Sequence, residues 1–296
     1  DILPPLGKTR RSFRLPDGAR CETDDFEAIE ALEDRKGANR GMRFVHFLES
    51  GRIMVAGCLV ALLLCVWLFT AYGIPFAAEK VARSVPNVVL EEVTRQTLDI
   101  IDERFMIPSE LDPGRADEIR TIFQEICKEG DAGFDYRLEF RKSPRIGPNA
   151  FALPSGIILM TDELVDLAEN DRELMGIMAH EMAHVENRHG MRNIIQNAGV
   201  FLLVSALLGD ITSSTSTAAT LPVLLVESGY SRDFEREADE VAGRYLIRKG
   251  WSSKPFQDIL IRLTQDETKF PGSSMISTHP DTEERVRDLQ ALEEES

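Results

Sequence analysis

From Ile53 to Ala78 the chain runs 26 residues without a single charge. Its apolar core, Ile53 to Tyr72, has the roughly 20 residues that a helix rising ~1.5 Å per residue needs to cross a ~30 Å hydrocarbon layer. Trp67 and Tyr72 lie toward its C-terminal end, where rings with a polar tip favour the membrane interface. A buried core helix would be shorter and carry a polar face. A cleaved signal peptide would have a shorter apolar run and less chain before it. Residues 53–74 therefore read as one transmembrane helix. They separate an N-terminal segment, 1–52, from a larger region, 79–296.

The charge distribution follows this division. Residues 1–52 hold ten Lys/Arg and ten Asp/Glu, so the net −16 of the chain lies wholly after the span. The twenty residues before Ile53 contain five Lys/Arg and residues 79–98 contain three. The bias favours a cytoplasmic N-terminus and an exported C-terminal region. An acidic region argues against a nucleic-acid partner, because phosphate binding needs clustered Lys and Arg. Cys127 is the one cysteine after the span, so that region cannot form a disulfide within itself.

Pro4, Pro5, Gly7, Pro16 and Gly18 mark residues 1–20 as loop or short strand, and 24–35 is an acidic helix candidate. Helical spacing predicts helices over 88–105 and from Pro113 to Glu129. The period then changes. Phe134, Tyr136, Leu138 and Phe140 alternate with polar residues, the mark of a half-buried strand, and NAFALPSGIILM (149–160) reads as a second strand region with a Pro-Ser-Gly irregularity in its middle. A helix from Asp171, taken as its N-cap, is followed by uncharged AGVFLLVSALLG (198–209), a Ser/Thr patch (212–217) and ATLPVLLVES. Each apolar piece is too short to span a bilayer alone, so 198–226 is either buried core or an element that dips into the membrane or lids the site. Helices follow over 231–249, 255–267 and 282–295, the last opened by Asp281 and Glu284 as a capping-box pair. The fold class is α+β, mostly helical, with a small sheet.

The chemistry concentrates in His180-Glu181-Met182-Ala183-His184. On a helix, residues four apart share a face, so both imidazoles can reach one Zn²⁺. Glu181 lies beside the position left open, where it can take a proton from water activated at neutral pH. An open catalytic site needs three protein ligands. His189, five residues on, falls about 140° round a continuous helix (~100° per residue), and reads as a helix-end or supporting residue. Glu235 and Asp239 are again four apart on the next long helix. Glu235 would complete the ligand set while Asp239 fixes the tautomer of a liganding histidine. Glu237 competes with Glu235 on the residues alone.

HEMAHVENRHG, SRDFEREAD and STHPDTEER, in that order, resemble the zinc metallopeptidases that include HtpX and the CAAX prenyl protease. The likeness covers about 85–295, and in layout is nearest to exported bacterial members and mitochondrial inner-membrane relatives. NAFALPSG resembles that family's strand motif, with Ser155 where Gly is usual. The resemblance implies a zincin-like domain, zinc ligands His180, His184 and Glu235, Glu181 as general base and Asp239 as the group supporting a ligand. It further implies that His279 and Arg285 face the site as catalytic residues, one or the other steadying an oxyanion, unless His279 occupies the open position at rest. Asn149, Ala150, Phe151 and Ala152 would form an edge strand that pairs with substrate backbone.

The sequence thus predicts a single-pass zinc metalloendopeptidase of the bacterial inner membrane, with a periplasmic catalytic domain and unfolded or misassembled envelope proteins as substrates. A zinc-gated chaperone or assembly factor with a mostly latent site is the alternative. A structural scaffold would instead hold its metal in a closed four-ligand site.

Overall fold

The computed structural model describes residues 10–15, 17–25, 28, 52–130, 133–208, 229–266, 279 and 281–295. It divides into two compact units, residues 1–73 and 74–296.

In the first unit, β1 (Arg11–Arg14) and β2 (Arg20–Thr23) form an antiparallel hairpin. Gly18, at φ +87°, supplies the left-handed turn residue. Of the acidic helix expected over 24–35, only Asp24, Asp25 and Ala28 fall among the described residues. The unit closes with α1 (Arg52–Leu68) and a π-helical turn, Phe69–Gly73. The apolar helix does not stop at 74. It is helical from Met54 to Ser84, the one helix among the described residues long and apolar enough to cross a membrane. Pro75 would break a regular helix, because it lacks an N–H and its ring crowds the carbonyl four residues back. That carbonyl lies in the π turn, where the wider coil accommodates it.

The second unit begins with α2 (Ile74–Ser84), α3 (Asn87–Arg104), β3 (Ile107–Pro108) and α4 (Pro113–Cys127). There follow β4 (Arg137–Lys142), β5 (Ala150–Ala152), β6 (Ile157–Thr161), α5 (Asp162–Leu167), α6 (Asp171–Glu186) and α7 (His189–Leu208). It ends with α8 (Arg232–Arg248), α9 (Lys254–Asp266) and α10 (Thr282–Glu294). The sheet order is β3-β4-β6-β5, with β4 and β6 parallel and the other pairs antiparallel.

Two local expectations need correction and one gains detail. The Pro154-Ser155-Gly156 irregularity within the strand region 149–160 is the turn of a β5–β6 hairpin, in which Gly156 N–H donates to Leu153 O at 3.0 Å. Positive φ falls on Gly156 (+109°) and not on Ser155, so the unusual serine fits. The cap of α6 is Asn170, one residue earlier than expected. Its side chain accepts from the Arg172 and Glu173 amides, and Glu173 accepts in return from Glu169 N and Asn170 Nδ2. Asp171 instead pairs with Arg115 at 2.7 Å. At α10, Asp281 is left-handed (φ +66°) and makes no side-chain cap bond, since its carboxylate pairs with Arg232 at 2.5 Å and Glu284 pairs with Arg236 at 3.0 Å.

The core gathers around α6, which is buried on every face from Gly176 to Val185. On one side lie Ile119 and Phe123 of α4 with Ile158 and Met160 of the sheet; on the other, Leu246 of α8 and Phe256 of α9. The helix therefore carries its polar residues through the middle of the protein. Gly176 permits the approach of α9: a Cβ there would lie 2.5 Å from Phe256 Cβ and 2.6 Å from its Cγ. Gly176→Ala should accordingly lower unfolding free energy by about 1–3 kcal/mol, the usual cost of overpacking a core, read by thermal or urea denaturation. An unchanged midpoint would show that α6 and α9 can separate freely.

Candidate metal centre

His180, Glu181 and His184 share the buried stretch of α6. The helix then breaks at Asn187 and Arg188, the latter at φ +52°, and α7 starts at His189. Arg188 stabilises this turn by donating to Ala82 O at 2.6 Å and Val85 O at 2.8 Å. The break returns His189 toward the site that a continuous helix would have carried it past. Its Nδ1 lies 2.9 Å from His184 Nδ1 and its Nε2 lies 3.0 Å from Glu237 Oε2. His189 is thus a support for His184, and Glu237 is occupied by His189.

The opposite wall is α8, capped by Ser231. Its Glu235 and Asp239 are both buried. Glu235 stands 3.5 Å from His180 Nε2 and 3.4 Å from His184 Nε2, and the two imidazole nitrogens are 3.0 Å apart. His279 Nδ1 is 2.9 Å from Glu235 Oε1 and 3.3 Å from His180 Nε2. One ligand atom from each of His180, His184, Glu235 and His279 lies within 4.8 Å of the others. Imidazole nitrogens and a carboxylate turned on one point in a dry core are what a borderline cation such as Zn²⁺ takes. The test of fit is Glu181: both its carboxylate oxygens are buried without a hydrogen-bond partner, although His279 Nε2 stands 3.6 Å away.

Around these groups lies a charge frame. Asp239 Oδ1 is 2.8 Å from His180 Nδ1, a close approach bent away from hydrogen-bond linearity. Arg285 forks onto Asp239 at 2.7 and 2.8 Å and reaches Glu235 at 3.2 Å. Burial opposes the charge of both carboxylates, but Arg285 with His180 holds Asp239 low, and His279 with Arg285 holds Glu235 well below its ordinary value. Glu181 has no such fork, and burial pushes its carboxyl up.

The structure thus brings together His180, Glu181, His184, Glu235, Asp239, His279 and Arg285. Arg285 is engaged by the two carboxylates. Ala150, Phe151 and Ala152 form the strand β5 at the end of the sheet, which packs against α6, and buried Asn149 immediately precedes it. Sequence reasoning missed Tyr230, whose ring stacks on His184 at 4.0 Å and 18°. Its only local signal is its place just before the Ser231 cap, from which a side chain folds back over the first helical turn. Phe234 plays the same part for His189, stacking at 4.3 Å and 8°.

A family model described as Peptidase family M48 matches residues 113–293, which contain every group of this centre. The chain belongs to peptidase family M48. M48 metallopeptidases depend on a metal, and the His/Glu cluster within the matched residues is a site that could hold one. A second model, a domain of unknown function (DUF7092), matches residues 1–36. A Vibrio cholerae protein provisionally named beta-barrel assembly-enhancing protease is 30% identical over 152 residues, covering 47% of this chain and 31% of that one. The mitochondrial metalloendopeptidase OMA1 of Saccharomyces cerevisiae is 24% identical over 162 residues, covering 53% and 47%. Metalloprotease YcaL of Escherichia coli is 27% identical over 149 residues, covering 48% and 57%. The M48 chain thus spans between about a third and just over half the length of these curated relatives.

If Asp239 orients His180 for the metal, Asp239→Asn in this M48 peptidase should weaken metal affinity about 10–100-fold, the usual cost of losing such a partner. Competition with a chromogenic chelator measures it, and unchanged affinity would remove Asp239 from that role.

Proposed function

We propose that the chain is a membrane-anchored zinc endopeptidase that cleaves unfolded or misassembled envelope proteins, anchored through residues 53–74 in a bacterial inner membrane with residues 79–296 on the periplasmic side. The observation that carries the hydrolytic reading is the unpartnered Glu181 carboxylate beside the convergent His180, His184 and Glu235. Zinc, when bound by these three, supplies a Lewis acid that brings the pKa of water toward about 7. The chain's residues do the rest. Glu181 takes the proton of the attacking water and delivers it to the leaving nitrogen. Its raised pKa suits an acceptor that must also give the proton back. Asp239 and Arg285 hold His180 and Glu235 in place, and His279 donates to the oxygen that gains charge.

Substrate binding is assigned to β5. Among the described residues it pairs with β6 alone, and we assign its other edge to an extended peptide running past α6. Main-chain pairing reads few side chains, which suits a peptidase for unfolded chains. The names of the beta-barrel assembly-enhancing relatives support the envelope assignment, and the uncharged helix supports the anchor.

A zinc-gated assembly factor with a mostly latent site is favoured by one observation: His279 joins the other three groups at the same point, making four protein donors. Two variants separate the readings. Glu181→Gln should retain metal yet lose casein cleavage; full cleavage would remove Glu181 as the base. His279→Ala should reduce casein cleavage about 10²–10³-fold if His279 steadies the oxyanion, as loss of one such donor does elsewhere. A rise in cleavage would instead identify His279 as the gate of a latent site.

A further inference from the structure

We infer that the C-terminal half of α7, from Gly199 to Leu208, enters the lipid bilayer as a second, non-spanning membrane element. This rests on the anchoring proposed above. The chain from Ala198 to Leu208 is uncharged, and Val200, Phe201, Leu202 and Val204 are 41, 37, 54 and 47% exposed. Water-facing helices rarely leave four such neighbours uncovered.

The helix it packs against indicates what covers them. α2 and α7 run antiparallel: Ala82 clusters with Met191 and Ile194, and a Cβ on Gly199 would meet Ile74 Cγ2 at 3.1 Å. Heights along the pair can therefore be matched. The charged residues of α2 are Glu79, Lys80 and Arg83, which lie opposite the polar stretch of α7 that ends at Asn197. Ascending past that level, α2 offers Phe76 (62% exposed) and Ile74, while α7 offers only apolar residues and Ser205, which is buried. Both helices turn from polar to apolar within about one turn of the same height. Ile74 is also the residue of α2 that follows the uncharged apolar segment directly in the sequence. The apolar end of α7 is thus the end nearest the membrane. Its nine residues beyond Gly199 rise about 14 Å, close to half the ~30 Å hydrocarbon thickness. Lipid acyl chains are the occupant this geometry fits.

Depth-dependent fluorescence quenching tests it on the full chain reconstituted in phosphatidylcholine vesicles, with or without bromine on the acyl chains. A Trp251→Phe background leaves Trp67 as the reporter of the anchor. Leu202→Trp, with both native tryptophans replaced by Phe, reports α7, and Ile261→Trp in that background reports an exposed apolar position on α9 (41% exposed). Brominated chains should quench the indole of Leu202→Trp about as strongly as Trp67 and leave that of Ile261→Trp unchanged. Val204→Trp reads the same stretch should Leu202→Trp fold poorly. Quenching of Trp67 but of neither α7 reporter overturns the inference, and a cross-linked dimer through α7 would then give the face to a second copy. Absence of quenching at Trp67 as well overturns the anchor itself.

Discussion

The Asp239–Arg285 fork is the interaction on which the centre rests. Three histidines, His180, His184 and His279, and three acids, Glu181, Glu235 and Asp239, stand in a core otherwise built largely of Leu, Ile, Met and Phe. Such groups stay charged in a dry interior only when paired and hydrogen-bonded. Arg285 supplies the one permanent cation, bidentate to Asp239 and in reach of Glu235. It also ties α10 to α8, so charge balance and helix packing are fixed by one side chain. Removing either partner leaves a buried charge exposed to no solvent, which is why the fork is a condition of the fold as much as of the metal site.

The same logic explains the distribution of polarity around Glu181. Every other acid at the centre has a cation or an imidazole at short range, whereas Glu181 has none closer than His279 at 3.6 Å. The core leaves one carboxylate unneutralised beside the convergent His180, His184 and Glu235, where the proposed hydrolysis needs a proton to change hands. Tyr230 and Phe234 complete the arrangement by stacking on His184 and His189, so that imidazole planes are set by apolar faces while their nitrogens are set by acids.

Much of this was legible in the sequence where a single element carries it. The i, i+4 spacing on α6 and α8 holds in the structure because both helices are regular there, and the Ser231 cap fixes the start of the second. What the period could not report was its interruption. The left-handed Arg188 turns His189 back toward His184, and its cause is tertiary, the carbonyls of Ala82 in α2 and of Val85 just beyond it, more than a hundred residues earlier. The choice between Glu235 and Glu237 has the same origin, since Glu237 is engaged by the returned His189. Asn170 took the cap from Asp171 because Glu173 completes its box, and Asp281 lost its cap to Arg232. The π turn and the hairpin at Ser155 were hidden for a simpler reason: a pattern of apolar residues does not record where a backbone widens or folds back.

The length of α7 sets a distance that matters for substrates. Ten residues separate His189, beside the metal centre, from Gly199, so about 15 Å of helix lie between them. With Gly199 at the bilayer boundary, a polypeptide leaving the membrane would have to extend about five residues, at ~3.3 Å each, before a peptide bond could lie along β5. α7 would then act as a ruler. On the proposed membrane arrangement, a protein folded right down to the lipid surface would be out of reach, and one with a short unfolded tether above its own span would be within it.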